Sequence, residues 1–212
     1  MNISIRNETE NDYRQIEELT REAFWNLYVP GCNEHFLAHV MRNHKDFIAS
    51  LDLVAILENR ITGSIMYTKS HLVNESGEKI IVITFGPVSV LPEYQKKGIG
   101  FALIQHSIKK ATADCYKAIV IQGHPYNYCK HGFKSSKDFN ISDAEGRYPY
   151  SLLVLELEKG CLEGHTWKYY PSEVFNLNEN DAEEFDKSFS HKKKEYRYSQ
   201  EEFKIACRAY IE

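Results

Sequence analysis

A short loop in the middle of the chain has the residue types of an anion-binding site. It lies between an apolar strand that ends near Val90 and a helical pattern that begins at position 98, and it consists of Gln95, Lys96, Lys97, Gly98, Ile99 and Gly100. A helix that begins there directs free backbone N–H groups and the positive end of its dipole at one point, which suits a phosphate or pyrophosphate. Glycine also lets the backbone approach an anion without Cβ obstruction.

The spacing in this loop differs from both common nucleotide motifs. A Walker loop ends in Gly-Lys-Ser/Thr, whereas Gly100 is followed by Phe101. A dinucleotide fingerprint needs a third glycine and an acid about 20 residues further on, where this chain has the apolar run 119–121. A turn between strand and helix that binds nothing is the alternative interpretation.

The apolar pattern predicts a mixed α/β sheet that positions this loop. Gly86-Pro87 interrupts the strand that leads into it, and because proline cannot donate to a ladder, a bulge or a splay is expected there. Helical spacing predicts one helix that Pro30-Gly31 stops, a second that Asn33 caps, and a third over 98–113, with a helical turn over 126–131. The predicted strands are 3–5, 53–57, 61–73, 79–90, 118–121 and 152–157.

Composition excludes several other classes of protein. The 212 residues include 26 Lys+Arg and 30 Asp+Glu, and a net charge of -4 argues against a nucleic-acid partner. The five cysteines are widely spaced without a Cys-x-x-Cys pair, so neither a zinc ribbon nor a redox dithiol is indicated. No run of about 18 apolar residues or secretory leader is visible, so the expected location is cytoplasmic, with no membrane partner.

The last quarter of the chain has a different character from the rest. Residues 160–212 contain more acids than bases, few β-branched residues and many aromatic residues. Tethered disorder lacks aromatic residues, so this extension is expected to be ordered and to pack on the main domain, with a helix over 199–210. The predicted domains are therefore 1–159 and 160–212.

Two motifs resemble those of the GCN5-related N-acetyltransferase (GNAT) superfamily. Val88-x-Val90-x-Pro92 followed by Gln95-x-x-Gly98-x-Gly100 is similar to its acetyl-CoA pyrophosphate loop. Tyr128, three further residues and Gly132-Phe133 resemble its second motif, and the Gly-x-Pro start at 123 with paired tyrosines is similar to the bacterial YhbS-like branch. The resemblance covers residues 1–158 and implies a mostly antiparallel sheet with a V-shaped splay between its central strands.

This resemblance implies acetyl-CoA as co-substrate and assigns residues to it. The backbone amides of 95–100 would hold the pyrophosphate, and Lys96 and Lys97 would add positive charge, although either could simply be solvated. Backbone groups of Val88, Ser89 and Val90 would pair with the pantetheine arm as if it were an added strand, and Asn127 would also contact the cofactor.

The resemblance also implies a general acid, and the residues offer several bases. Tyr128 stands where the superfamily has its acid, and the reference pKa of a phenol, about 10, suits a thiol leaving group. His124, with a reference pKa of about 6.5, is the best base by type, although a histidine that bonds a turn is the alternative. Glu34, His35 or a water chain are weaker options for the base.

His35 and His39 lie one helical turn apart, as metal ligands can, but no third ligand is identifiable. We therefore expect no metal.

The resulting hypothesis is an acetyl-CoA-dependent N-acetyltransferase. It would act on a primary amine of a small molecule or a peptide, by direct attack in a ternary complex. The alternative is a catalytically silent CoA-binding or regulatory module, which the lack of an acid between Lys79 and Val90 favours. A P-loop hydrolase is opposed by Phe101. The acceptor, the base, a homodimeric state and the role of the extension stay open.

Overall fold

The structure is a computed structural model that describes residues 2–212. One nine-stranded sheet runs through it in the order β1-β2-β3-β4-β5-β8-β6, while β9 pairs with both β3 and β7. Adjacent pairs are antiparallel except β4 with β5 and β7 with β9. The strands are β1 (Ser4–Asn7), β2 (Leu53–Leu57), β3 (Arg60–Asn74), β4 (Lys79–Val90), β5 (Ala118–Gln122), β6 (Lys134–Ser135), β7 (Ile141–Ser142), β8 (Leu152–Glu156) and β9 (Trp167–Tyr170).

Helices cover both faces of this sheet because its strands bury apolar residues on alternate sides. Along β2, Leu53 and Ala55 pack in one cluster with Leu103, whereas Val54 packs on the other side with Ile16 and Leu19. None of the helices in residues 2–212 is long and apolar enough to cross a lipid bilayer. The helices are α1 (Tyr13–Phe24), α2 (Glu34–Met41), α3 (Ile99–Ala113), α4 (Pro125–Tyr128), α5 (Glu179–Asp186) and α6 (Tyr198–Arg208).

The two central strands β4 and β5 separate soon after they meet. Their only paired residues within the described chain are Ile83 and Ile119. At Gly86-Pro87, two residues of β4 stand opposite Met66 alone, so β4 bulges, and the peptide between them is cis. The bulge predicted from this dipeptide is confirmed. We call the opening between β4 beyond Ile83 and β5 beyond Ile119 the splay.

The extension adds elements that the sequence did not predict. Strand β9 continues the edge of β3 beyond β2, pairing residues 71–74 with 167–170, and Trp167 and Tyr169 enter a core cluster with Leu72. Strand β9 has only four residues, Trp-Lys-Tyr-Tyr, and its last two are both aromatic. The alternation of apolar and polar residues is therefore too short to identify a strand from the sequence. Helix α5 was also missed, while α6 was expected at 199–210 and is found at Tyr198–Arg208.

Candidate functional site

The loop before α3 presents a row of unpaired backbone donors. Lys96 has φ +60° and Gly98 has φ +85°, with Lys97 between them at negative φ. This alternation turns successive N–H groups toward the same side, as in anion-binding nests. The first backbone N–H to donate within α3 is that of Ala102, to the Gly98 carbonyl at 2.9 Å, and none from 96 to 101 finds an acceptor in the described chain. The sequence-predicted anion loop thus has the geometry expected of it.

Both glycines of this loop face free space. A Cβ built on Gly98 would have no heavy atom within 4 Å, and one on Gly100 would meet only a methyl of Val90 at 3.6 Å. The side chains of Lys96 and Lys97 are exposed beside them, and Gln95 ties the loop to the strand by donating to the Val90 carbonyl at 3.2 Å. The cradle is therefore open, positively charged and anchored, which suits a pyrophosphate.

Strand β4 leaves a free backbone edge on the side of the splay. Val88 and Val90 are half-buried, and no described strand pairs with that edge after Ile83. Ser89 is fully buried, and its hydroxyl donates to the Thr20 hydroxyl of α1 at 3.0 Å. Ser89 can therefore offer a ligand in the splay only its backbone.

Tyr128 lies at the other side of the splay, at the end of α4. Its ring covers Gly123, where any side chain would collide with it, and it packs 5.6 Å from Phe85 and 6.1 Å from Phe133 between ring centroids. Burial raises the pKa of Tyr128, and its hydroxyl bonds to no described residue. This hydroxyl therefore stays protonated at neutral pH and is free to donate.

His124 and its neighbours are more exposed. The His124 Nδ1 accepts from the Tyr126 backbone N–H at 3.3 Å and caps α4, so the structure gives this histidine the turn-bonding role that was the alternative interpretation. Its ring lies 6.0 Å from that of Tyr150. Asn127 is exposed, and Tyr126 is 83% exposed. Only the Nε2 of His124 remains available as a base.

Glu34, the first residue of α2, is a further candidate for the site. Its carboxylate accepts from the Asn33 backbone N–H at 3.1 Å, and burial raises the pKa of Glu34. Glu34 in turn raises the pKa of Tyr28, and Tyr28 raises that of Tyr128, so the three groups lie within electrostatic reach of one another. Sequence reasoning offered Glu34 only as a lesser option for the base and missed Tyr28, because Tyr28, in the loop after α1, and Glu34, at the start of α2, belong to no motif.

The histidine pair of α2 faces two separate carboxylates. His35 is fully buried with Nε2 3.1 Å from Asp186 Oδ1, and burial lowers the pKa of His35 to about 4. His39 Nδ1 lies 2.8 Å from Glu17 Oε1. Within residues 2–212 no three histidine, cysteine or acidic side chains converge as metal ligands do. His35 therefore acts in packing, away from the splay.

Comparison with known proteins gives a consistent result. The acetyltransferase (GNAT) family model matches residues 13–133. The uncharacterized N-acetyltransferase YjhQ of Escherichia coli K12 is 28% identical over 112 residues, or 53% of this chain. That match spans 58% of YjhQ, less than two thirds of its length.

Two solved structures share the fold. The GNAT family N-acetyltransferase YhbS of Escherichia coli, in complex with CoA, superposes with a TM-score of 0.70 and 22% identity over 82% of this chain and 92% of that one. A GNAT family acetyltransferase from Brucella melitensis, in complex with acetyl-CoA, has a TM-score of 0.64 and 22% identity over 82% of this chain and 98% of that one. The splay between β4 and β5 belongs to this shared architecture.

Proposed function

The chain belongs to the acetyltransferase (GNAT) family, and from that premise we propose that it transfers an acetyl group from acetyl-CoA to a primary amine. The observation that carries the proposal is the cradle before α3, where unpaired N–H groups and two glycines face open space. A pyrophosphate needs such donors and such room. That YhbS and the Brucella melitensis protein were crystallised with CoA and acetyl-CoA supports the same ligand here.

Acetyl-CoA would be held by backbone more than by side chains. Residues 96–100 would donate their N–H groups to the pyrophosphate, with Lys96 and Lys97 adding charge from the rim. The free edge of β4 at Val88–Val90 would pair with the amides of the pantetheine arm. Asn127 is exposed on α4 and is assigned to the same ligand.

Acetyl-CoA supplies an activated thioester, and the chain's residues would manage the protons. A bond forms between amine nitrogen and acetyl carbon, the C–S bond breaks, one proton leaves the nitrogen and one reaches the sulfur. The Tyr128 hydroxyl, protonated and unbonded, is the donor to sulfur in this proposal. A backbone N–H near Val88 would polarise the carbonyl. The amine attacks directly in a ternary complex.

Two groups can accept the proton from the amine. His124 has Nε2 free while Nδ1 caps α4, and it remains the assigned base. Glu34 offers a carboxylate from α2, and burial raises its pKa. A water chain between them and the amine would serve either group.

A catalytically silent CoA-binding module is the second candidate, since β4 carries no acid from Ile80 to Val90. Two measurements distinguish an acetyltransferase from a silent module. Thiol release from acetyl-CoA is followed with a panel of primary amines, and binding of acetyl-CoA is measured by calorimetry. We expect amine-dependent thiol release, and binding without release from any amine would favour the silent module. Whether the chain forms a homodimer, which the sequence leaves open, is tested by sedimentation of the same sample.

A further inference from the structure

Helix α6 of the extension begins on the loop that follows α1. The Ser199 hydroxyl donates to the Leu27 carbonyl at 2.8 Å, and the Gln200 amide donates to the Asn26 carbonyl at 3.0 Å. Gln200 is 1% exposed, so this junction excludes water. Because α1 packs beside β4 through the Ser89–Thr20 contact, α6 starts on the β4 side of the splay.

The residues after α6 are attached on the β5 side. The Tyr150 N–H donates to the Ala209 carbonyl at 2.9 Å, and the Ile211 N–H donates to the Tyr148 carbonyl at 2.8 Å. Residues 148–150 lead into β8, which pairs with β5 along its whole length. Helix α6 is thus bonded at both ends and connects the two sides of the splay, and we call it the roof.

Aromatic rings stand on the roof and at both sides of the splay. Phe203 of α6 stacks on Tyr28, with ring centroids 4.6 Å apart and planes 27° apart. The Phe175 ring, also from the extension, comes within 3.9 Å of where a Cβ on Gly86 would stand, at the bulge of β4. Tyr128 stands on the β5 side, at the end of α4, against Phe85. Flat, weakly polar walls of this kind favour planar or apolar ligand groups and a cation over a ring face.

Few unpaired carboxylates are available near these aromatic rings to bind a cationic amine. Glu34 is the carboxylate whose charge raises the pKa of Tyr28, and it forms no ion pair with any residue of 2–212. Other acids of α1 and α5 nearby are already paired, Glu17 with Arg42 at 3.0 Å and Asp186 with Arg21 at 2.6 Å. One free carboxylate can balance one ammonium group, whereas a polyamine would need several.

We propose, resting on the acetyltransferase function above, that the acceptor is a small monoamine with an aromatic body and that Phe203 and Tyr28 determine this specificity. A helix bonded at both ends across the splay would obstruct the extended chain of a peptide, which requires an open groove along which to lie. The aromatic walls bind the body of the acceptor, and Glu34 balances its ammonium group before deprotonation.

The test compares kcat/KM at saturating acetyl-CoA for 2-phenylethylamine, spermidine and a short lysine peptide. We expect 2-phenylethylamine to exceed the other two by at least about tenfold. Phe203→Ala should lower kcat/KM for 2-phenylethylamine by about tenfold or more, as loss of an apolar contact does, with the KM for acetyl-CoA unchanged. Phe203→Tyr keeps the aromatic ring and should therefore retain the wild-type kcat/KM for 2-phenylethylamine.

Ile205→Ala is the matched control, because Ile205 lies on the same helix and is 64% exposed. It should leave all three acceptors unchanged, and circular dichroism verifies that each variant is folded. Equal or faster turnover of peptide or spermidine, or equal effects of Phe203→Ala and Ile205→Ala, would overturn the acceptor class while acetyl transfer stands. Absence of thiol release with every amine, together with absence of acetyl-CoA binding, would overturn both proposals.

Discussion

At the scale of single residues, the position of Tyr128 depends on residue 123 being a glycine. Its ring occupies the space that a Cβ on Gly123 would take, and Phe85 and Phe133 hold it from two further directions. A tyrosine fixed in this way loses little rotamer freedom when it acts. Burial raises the pKa of Tyr128, so its hydroxyl keeps its proton at neutral pH.

Tyr128→Phe removes this proton donor and keeps the ring with its packing. If Tyr128 protonates the leaving thiolate, kcat should fall by about 10²–10⁴-fold while acetyl-CoA affinity stays nearly the same. Stopped-flow turnover and calorimetry measure the two quantities. Tyr126→Phe, on the same turn with its side chain 83% exposed, is the control and should behave as wild type. Parallel loss of binding and turnover would instead identify Tyr128 as a wall of the pocket.

A second residue-scale feature lies away from the splay, where Asp52 is buried next to Glu8. Arg42 at the end of α2 donates to Glu8 at 2.6 Å, and Asp52 is 5% exposed. Burial, followed by the neighbouring Glu8, raises the pKa of Asp52 to about 9. Asp52 is therefore protonated in the folded protein at neutral pH and ionised in the unfolded chain.

This proton makes stability depend on pH in a defined direction. The folded state holds a proton that the unfolded state has released, so stability is lost as pH rises from the ordinary carboxyl pKa toward about 9. Asp52→Asn keeps a hydrogen-bond donor for Glu8 but has no carboxyl group to titrate. Its free energy of unfolding relative to wild type should rise between about pH 5 and about pH 8, by at most about 1.4 kcal/mol per pH unit.

Urea denaturation at both pH values measures that difference. Asp114→Asn, at an exposed position, is the control and should show a pH-independent difference from wild type. A constant offset for Asp52→Asn over the same range would mean that Asp52 is ionised in the folded protein.

At the scale of elements, the junction between β4 and α3 does the binding in our proposal. Helix α3 leaves its first N–H groups unpaired, as every helix does, but here the left-handed residues Lys96 and Gly98 gather further N–H groups beside them. The proposed site is thus formed by the backbone of the turn between β4 and α3, and side chains contribute only at its rim.

Gly98→Ala and Gly100→Ala each place a methyl group in the open cradle. Acetyl-CoA affinity should fall by at least about tenfold, because the phosphate oxygens can no longer approach the backbone. Gly98 has a positive φ, so its replacement also costs about 1 kcal/mol or more of stability. Gly146→Ala is the matched control, since Gly146 has φ +84° and equally open space but lies in a distant turn.

Calorimetry with acetyl-CoA and thermal unfolding separate the two effects. Gly146→Ala should lower stability as Gly98→Ala does and leave affinity intact, whereas Gly100→Ala should lower affinity with the fold unaffected. Wild-type affinity in both Gly98→Ala and Gly100→Ala would remove the loop from the proposed site.

At the scale of the whole molecule, the extension shares the sheet, the core and the ion pairs of the region before it. Strand β9 pairs with β3, the Trp25 indole donates to the Lys193 carbonyl at 3.0 Å, and Arg21 pairs with Asp186. We therefore predict that residues 160–212 unfold together with residues 1–159 and do not form an independent unit.

The two tryptophans provide the measurement, because Trp25 lies in α1's C-terminal turn and Trp167 in β9. Trp25→Phe leaves Trp167 as the fluorescent reporter in the extension. Trp167→Phe leaves Trp25 as the reporter in the region before it. In each variant the fluorescence and far-ultraviolet circular dichroism transitions in urea should coincide, as two-state unfolding requires. A fluorescence midpoint of Trp167 below that of the circular dichroism signal would show that the extension unfolds separately.

The sequence by itself determined the features that depend on neighbours along the chain. Strand and helix periods, the bulge at Gly86-Pro87 and the loop with Gly98 and Gly100 are written in short segments, since backbone preferences and apolar alternation act locally. The spacing of Tyr128 before Gly132-Phe133 identified the family in the same way.

Only the tertiary structure decided which distant side chains meet, such as Phe203 with Tyr28. Tyr28, Glu34, Phe175 and Phe203 come from separate segments, and no spacing along the sequence relates them before the chain folds. The capping bond of His124, the burial of His35 and the pairing of β9 with β3 depend equally on surroundings contributed by other elements. Burial and charge at a site are sums over such neighbours, and those sums exist only once the chain has folded.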